Sequence, residues 1–320
     1  MPAPAAPRAG LAEKIRSWLL DPDYPLTAVE VRPRSIGAVR GVRDRGHVAF
    51  GMAASLDLPD GTLNLSMVQP NVAAVDAFRE TVRNVLEKAG IPLHSEVALV
   101  LPDPVARVSL VAANDLAGKN AAEAEDMLRF KLRKAVPFDI KDARLAFRMP
   151  RVLTSEAQAL AVAIARPVLE AYEDALTPLG LSVGLVELAS LAMVGAVEAS
   201  HAPGDRLVVN WDEGYVSLVL TRAGEPVLAR TLTGEVVSTH DDVIREVANT
   251  VLFYREKLGG AGLAQVVVRS AVLTPAQVVS LLREPLERAP ELLDPWGGSD
   301  DSVAGQAVAG AASCIVGRAS

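Results

Sequence analysis

The chain has 320 residues, half of them hydrophobic and only 4% aromatic, so it has the length for two domains with cores of Val, Leu and Ala. Thirty-two basic against 39 acidic residues leave a net charge of −7, which argues against nucleic acid as the main partner. Cys314 is the only cysteine, so an internal disulfide is excluded and a reducing compartment is expected.

The first ten residues are Pro/Ala-rich and are expected to be disordered. Leu11, Ile15, Trp18 and Leu19 then share one helical face, which predicts a short amphipathic helix in an N-terminal tail over 1–25. A helix docked on the protein itself is the plainer reading. A partner- or membrane-seeking helix would have only Lys14 and Arg16 as its positive charge. No secretory signal pattern is present, and the longest apolar stretch, Val303 to Val316, is too short to span a bilayer. A cytoplasmic protein with no membrane span of its own is expected.

From Leu26 to Leu58 the pattern is that of strands, with a turn at Asp44-Arg45-Gly46. Val72 to Lys88 reads as a helix stopped by Gly90. Glu96–Pro102 and Val105–Val111 read as two short strands. In the next stretch, Asn120 to Met149, Asn120 and Glu123 have the spacing of a capping box. Acids then fill the first turns, and Arg129, Lys131, Arg133 and Lys134 the last, which compensates the helix dipole. That basic run reads as a solvated helix end rather than a phospholipid contact. Pro137 ends the helix at Val136. Phe138 is expected to pack back on the helix, and if fully buried its replacement by alanine would cost about 3–5 kcal/mol. Ala143, Leu145, Phe147 and Met149 alternate with arginines as in a half-buried strand.

Ala157–Ala165 reads as a strand, 168–176 as a helix with Pro167 in its first turn, Leu181–Glu187 as a strand and Leu188–Ala199 as a helix. A polar shift at His201–Asp205 marks a domain boundary, giving a first domain over 26–200 and a second over 201–320. The second opens with strands and a hairpin whose tip is Ala223-Gly224-Glu225. Asp241–Leu258 is an apolar-faced helix carrying Val243, Ile244, Val247, Val251, Leu252, Tyr254 and Leu258 on that face. Ala264–Arg269 is a strand and Pro275–Leu282 a helix. A Pro-rich loop leads to a final helix of small residues, Val303–Val316, assigned to the second domain. His47, His94, His201 and His240 are scattered without metal-ligand spacing, and His240-Asp241-Asp242 reads as a helix cap rather than a cation site. No hydrolase or protease motif is present.

The acidic-to-basic helix closed by Val136-Pro137-Phe138 resembles a segment of the PilM family, the actin-like cytoplasmic proteins of type IV pilus assembly. The hairpin LVVN…VSLVLTRAGEPVLARTLTG, with Arg230 before a small-residue turn, and the helix VIREVANTVLFYREKLGG are similar to the same family's second half. The resemblance covers roughly 26–318. It implies an α/β fold of the actin-like, duplicated RNase H-like type. It also implies an inserted strand/helix subdomain in the first half, placed here at 93–178, like that of PilM and of the cell-division protein FtsA.

The stretches that resemble the family's nucleotide loops depart from them. The first loop reads Arg32-Pro33-Arg34-Ser35-Ile36-Gly37, with no carboxylate at the Asp position and with Arg40 near the family's Lys. Of these arginines, Arg32, Arg34 and Arg40 are expected to be solvated or at an interface. The second loop reads Asn210-Trp211-Asp212-Glu213-Gly214, and the third motif, a Gly pair in the family, reads Arg269-Ser270-Ala271. By that resemblance Arg40, Asn210, Asp212 and Ser270 are vestigial positions of a nucleotide site that lacks both loop carboxylates and its Gly pair. Neither ATP nor magnesium is expected to bind, and no metal site or catalytic residue is assigned.

The resemblance implies a scaffold that binds the cytoplasmic tail of a PilN-like bitopic inner-membrane protein, sits peripherally at that membrane through its partners, and meets pilus motor or platform proteins. An active actin-like ATPase of the same machinery is the enzymatic alternative. The other is a GspL-like cytoplasmic domain of type II secretion. Chains of that type continue into a transmembrane helix, whereas this sequence ends at Ser320, which favours the PilM-like reading.

Overall fold

The computed structural model describes residues 24–44, 47–199, 203–296 and 303–319. The helix expected over Leu11–Leu20 lies outside them, as do Arg45, Gly46 and His201. Two five-stranded sheets dominate. The first runs β1 (Thr27–Val31), β2 (Ser35–Asp44), β3 (His47–Asp57), β4 (Glu96–Leu101) and β8 (Ser182–Leu188), in the spatial order β3-β2-β1-β4-β8. The second uses β9 (Asp205–Asp212), β10 (Tyr215–Arg222), β11 (Glu225–Thr233), β12 (Leu263–Ser270) and the two-residue β13 (Glu291–Leu292), in the order β11-β10-β9-β12-β13. In each, a three-stranded meander is antiparallel and the last two strands join parallel to the first. The repeat of order and direction makes the two halves copies of one plan. Each meander has a tight first turn, Arg32 to Ser35 in one and Glu213-Gly214 in the other, and these two turns face each other between the sheets.

Helices cover both faces. On the outer face of the first sheet lie α1 (Val75–Lys88) and α3 (Arg166–Leu176), whose Phe78 and Tyr172 rings meet at 6.2 Å in the first core. On the second sheet α5 (His240–Lys257) and α6 (Pro275–Leu286) do the same. Leu252, expected on the apolar face of α5, is instead half exposed. The cap of α5 is Thr239, one residue before His240: Thr239 and Asp242 bond reciprocally in a capping box, so the acids there serve the helix start.

Between the sheets lie α4 (Ala189–Glu198) and the C-terminal α8 (Ala309–Ala319), which follows the one-turn α7 (Val303–Gln306). The final helix was expected in the second domain. Its Ala311, Ala312, Cys314 and Ile315 instead pack on Ala28, Val39, Ala98 and Val100 of the first sheet. Small side chains are the reason. A Cβ on Gly317 would fall 2.9 Å from the Gly195 carbonyl carbon, so α8 and α4 meet backbone to backbone. Met193, Val194 and Val197 of α4 pack in turn on Val208, Val219 and Val267 of the second sheet, so α4 is shared by both halves.

The inserted unit is narrower than 93–178. β4 is hydrogen-bonded to β1 and β8, and α3 is buried in the first core, so both belong to the main layer. What protrudes is a three-stranded antiparallel sheet, β5 (Arg107–Ala112), β7 (Gln158–Ala165) and β6 (Ala143–Arg148) in that order, with α2 (Ala121–Leu132) on one face. The Asn120/Glu123 capping box starts α2, its two bonds both 3.0 Å. The helix stops at Leu132, four residues before Val136, because the Ala135 amide turns back to the Leu132 carbonyl at 2.8 Å. Arg129, expected to be solvated, ties α2 to β6: its guanidinium meets Glu125 at 2.6 Å and the Ala143 carbonyl at 3.1 Å. Phe138 is half-buried and touches both the insert's core and the first domain's core. Phe138→Ala is therefore expected to cost about 2 kcal/mol, near half the cost at a fully buried site. Thermal denaturation measures it, and an unchanged midpoint would show that the turn after α2 holds nothing.

Candidate functional site

The two facing turns are joined by a buried ionic cluster. Along β1 the strand alternation points Val29 and Val31 into the first core and sends Glu30 toward α8. Arg32 follows as the strand turns. Its guanidinium grips the Asp212 carboxylate at the end of β9 in a two-pronged contact, 2.8 and 2.7 Å, and gives its remaining nitrogen to Ser35 at 2.8 Å. Arg269, on the neighbouring β12, lies fully buried in the centre. It donates to Glu30 at 2.6 Å, Asp212 at 3.0 Å, Asn210 at 2.9 Å and the Gln306 carbonyl at 2.9 Å. The Asn210 amide passes the chain on to Asp103 at 2.9 Å and Tyr215 at 3.2 Å.

Three carboxylates and two guanidiniums, all buried, leave one excess negative charge if all are ionised. The fold compensates it with helix N-termini. Asp103 accepts the Ser190 amide in the first turn of α4 at 3.0 Å, and Glu30 accepts the Ala311 amide in the first turn of α8 at 2.9 Å. Gly310 makes the second contact possible, since a Cβ there would lie 2.5 Å from the Glu30 carboxylate. Burial would raise the Asp212 carboxyl, but Arg32 and Arg269 outweigh it and hold the group at about 2. For Glu30 burial dominates, and Arg269, Arg32 and the Ala311 amide only partly pull its pKa back down. Burial likewise raises Asp103 against the pull of its Ser190 and Asn210 donors.

Of the positions named from sequence, Asn210 and Asp212 are members of this cluster. Ser270 is buried one residue past Arg269, and its hydroxyl accepts the Leu273 amide at 3.2 Å, bracing the turn into α6. Arg40 is elsewhere. It pairs with Thr27 five residues along β2, about 17 Å from Ser35 at strand rise, and it is exposed. Arg32, expected to be solvated or at an interface, is almost wholly buried where the two halves meet. Arg34 fits that expectation: it is exposed and pairs with Glu213 at 2.9 Å on the rim. Sequence reasoning missed Glu30, Asp103 and Tyr215, and read Arg269 only as a departure from the Gly pair. The signal available was a charge inside an apolar strand run, Glu30 in AVEV and Arg269 in VVVRS. Among the described residues no group of His, Cys, Asp or Glu has a geometry able to hold a metal ion.

A second feature is a groove of about 560 Å³ on the side of the insert. Its walls are Phe147 on β6, Leu191 and Val194 on α4 and Pro226 on β11; Ser313 and Gly317 of α8 form its floor. β6 is an edge strand, paired only with β7. The Ser313 hydroxyl is buried here, with no hydrogen-bond partner among the described residues.

No protein-family model matches the chain, and no curated protein matches its sequence. Its shape is similar to a chain of the PilM–PilN type IV pilus biogenesis complex, with a TM-score of 0.71 over 93% of this chain and 98% of that one at 18% identity. A Bacteroides thetaiotaomicron protein with an actin-like ATPase fold and unknown function matches at a TM-score of 0.51, covering 88% of this chain and 94% of its own at 7% identity. The cytoplasmic domain of EpsL, an inner-membrane component of the Vibrio cholerae type II secretion system, gives 0.47 over 76% and 81% at 14% identity. At these identities the likeness is one of fold, and the fold is actin-like, with the two meander turns placed where the halves meet. No helix among the described residues is long and apolar enough to cross a membrane.

Proposed function

We propose that this actin-like chain is a cytoplasmic scaffold of a type IV pilus or related secretion machine. It is held peripherally at the inner membrane by the cytoplasmic tail of a PilN-like bitopic protein, with motor or platform proteins as further partners. The chain acts as a pseudo-ATPase that uses neither ATP nor magnesium. One observation carries this reading: Arg269 spans the cleft with all three guanidinium nitrogens engaged, by Glu30, Asp212, Asn210 and the Gln306 carbonyl. A phosphate cradle needs free backbone amides and uncommitted cations. Both guanidiniums in this cleft are already paired, and three carboxylates repel an incoming polyphosphate.

The tail occupies the groove beside the insert, filling its apolar walls and extending along the free edge of β6. Fluorescence anisotropy with the labelled tail of the neighbouring bitopic protein is expected to give micromolar affinity or better. Failure of every bitopic protein of the same gene cluster to bind would sink the scaffold reading. Calorimetric titration with Mg-ATP or ADP is expected to show nothing tighter than about millimolar, near −4 kcal/mol. A micromolar constant would establish the ATPase instead. Arg40→Ala, which lies outside the cluster, is expected to leave tail binding intact.

A further inference from the structure

The groove has a clasp across its mouth. At the tip of the β10–β11 hairpin the two turn residues, Ala223 and Gly224, have φ of 51° and 78°, the pattern of a tight two-residue turn that matches strand twist. This stiff tip presents Glu225, the first residue of β11, to the insert. Its carboxylate accepts the Arg151 amide at 3.0 Å and an Arg148 guanidinium nitrogen at 3.2 Å. Arg148 ends β6, and both arginines and Gly224 line the groove, so this contact closes its rim between the insert and the second domain. The exposed Val152 and Leu153 follow Arg151 at once in the chain, on the insert side.

We propose that Glu225 gates this groove, parting from Arg148 and Arg151 when an extended peptide enters. This rests on the tail-binding reading above. The clasp suits a gate because it is weak and reversible. The Arg148 side chain is 48% exposed and that of Glu225 22%, and a pair of that exposure is screened by salt and opened by modest binding energy. The buried Arg269 cluster, by contrast, is saturated and keeps the two halves in place while the rim moves.

Two measurements on the full chain test this. Hydrogen exchange in the free protein is expected to show the Arg151 amide protected, with protection falling at least tenfold in Glu225→Ala and in 0.5 M salt. No protection in the wild type would overturn the clasp. Stopped-flow anisotropy, with a synthetic peptide of the bitopic protein's N-terminal tail, is expected to show association rising severalfold in Glu225→Ala and in the milder Glu225→Gln. Equal association rates in wild type and both variants would overturn the gate. A tail that binds none of the three proteins would overturn the functional reading instead, leaving the clasp to be judged by amide exchange alone.

Discussion

Arg269→Ala is expected to destabilise the protein by about 3–5 kcal/mol, because truncating one member of a buried ionic network strands the others. Glu30 would lose the guanidinium bonded to it and, among the described residues, keep the Ala311 amide. Asp212 would keep Arg32, while Asn210 and the Gln306 carbonyl would each lose a donor. The damage should run through both halves, since Glu30 and Arg269 are 239 positions apart and belong to different sheets. Urea denaturation reads it as a lower midpoint at unchanged slope. Arg34→Ala is the control: its pair with Glu213 is exposed, and it should stay within about 0.5 kcal/mol of wild type. Adding Glu30→Gln to Arg269→Met should recover part of the loss, since the stranded charge goes with its partner. A loss below about 1 kcal/mol for Arg269→Ala would mean that water fills the cleft and that the cluster does not join the domains.

Acid should dismantle the same cluster, by about 2 kcal/mol from Asp212 alone. Its carboxyl has an ordinary value of 3.8 and is held at about 2 in the fold. A depressed carboxyl contributes stability that is present above its unfolded pKa and is lost as pH falls through its folded value. The loss therefore falls between about pH 4 and pH 2. Glu30 and Asp103 act with the opposite sign. Their folded values are raised, so their contribution declines as pH rises past their ordinary values of 4.5 and 3.8. Stability should thus peak on the acid side of neutrality and drop steeply below pH 4, which a series of denaturation curves against pH would trace. In Arg269→Ala the acid limb should flatten, because one of the two cations holding Asp212 down is gone. An acid limb equally steep in the variant would assign it to other carboxylates.

Much of the fold was legible because it depends on local chemistry. Strand alternation from Leu26 to Leu58, the Asn120/Glu123 cap and the Ala223-Gly224 turn each commit a short segment through backbone geometry and nearby donors. The sequence by itself thus determined most of the elements, their order, and the loss of a carboxylate from each of the two loops and of the Gly pair from the third motif. Only the tertiary structure decided where charges ended up. Arg32, Arg34 and Arg40 look alike in sequence, yet one is buried against Asp212, one sits on the rim, and one is exposed far along β2. Which fate each meets depends on strand register and on what the other sheet brings opposite, and neither is a local property. The final helix shows the same limit. Its small residues announced close packing, but the choice of the first sheet as its partner was made by a matching surface of Ala28, Val39 and Ala98 and by the bare backbone at Gly195. Packing complementarity of that kind exists only once both surfaces are assembled.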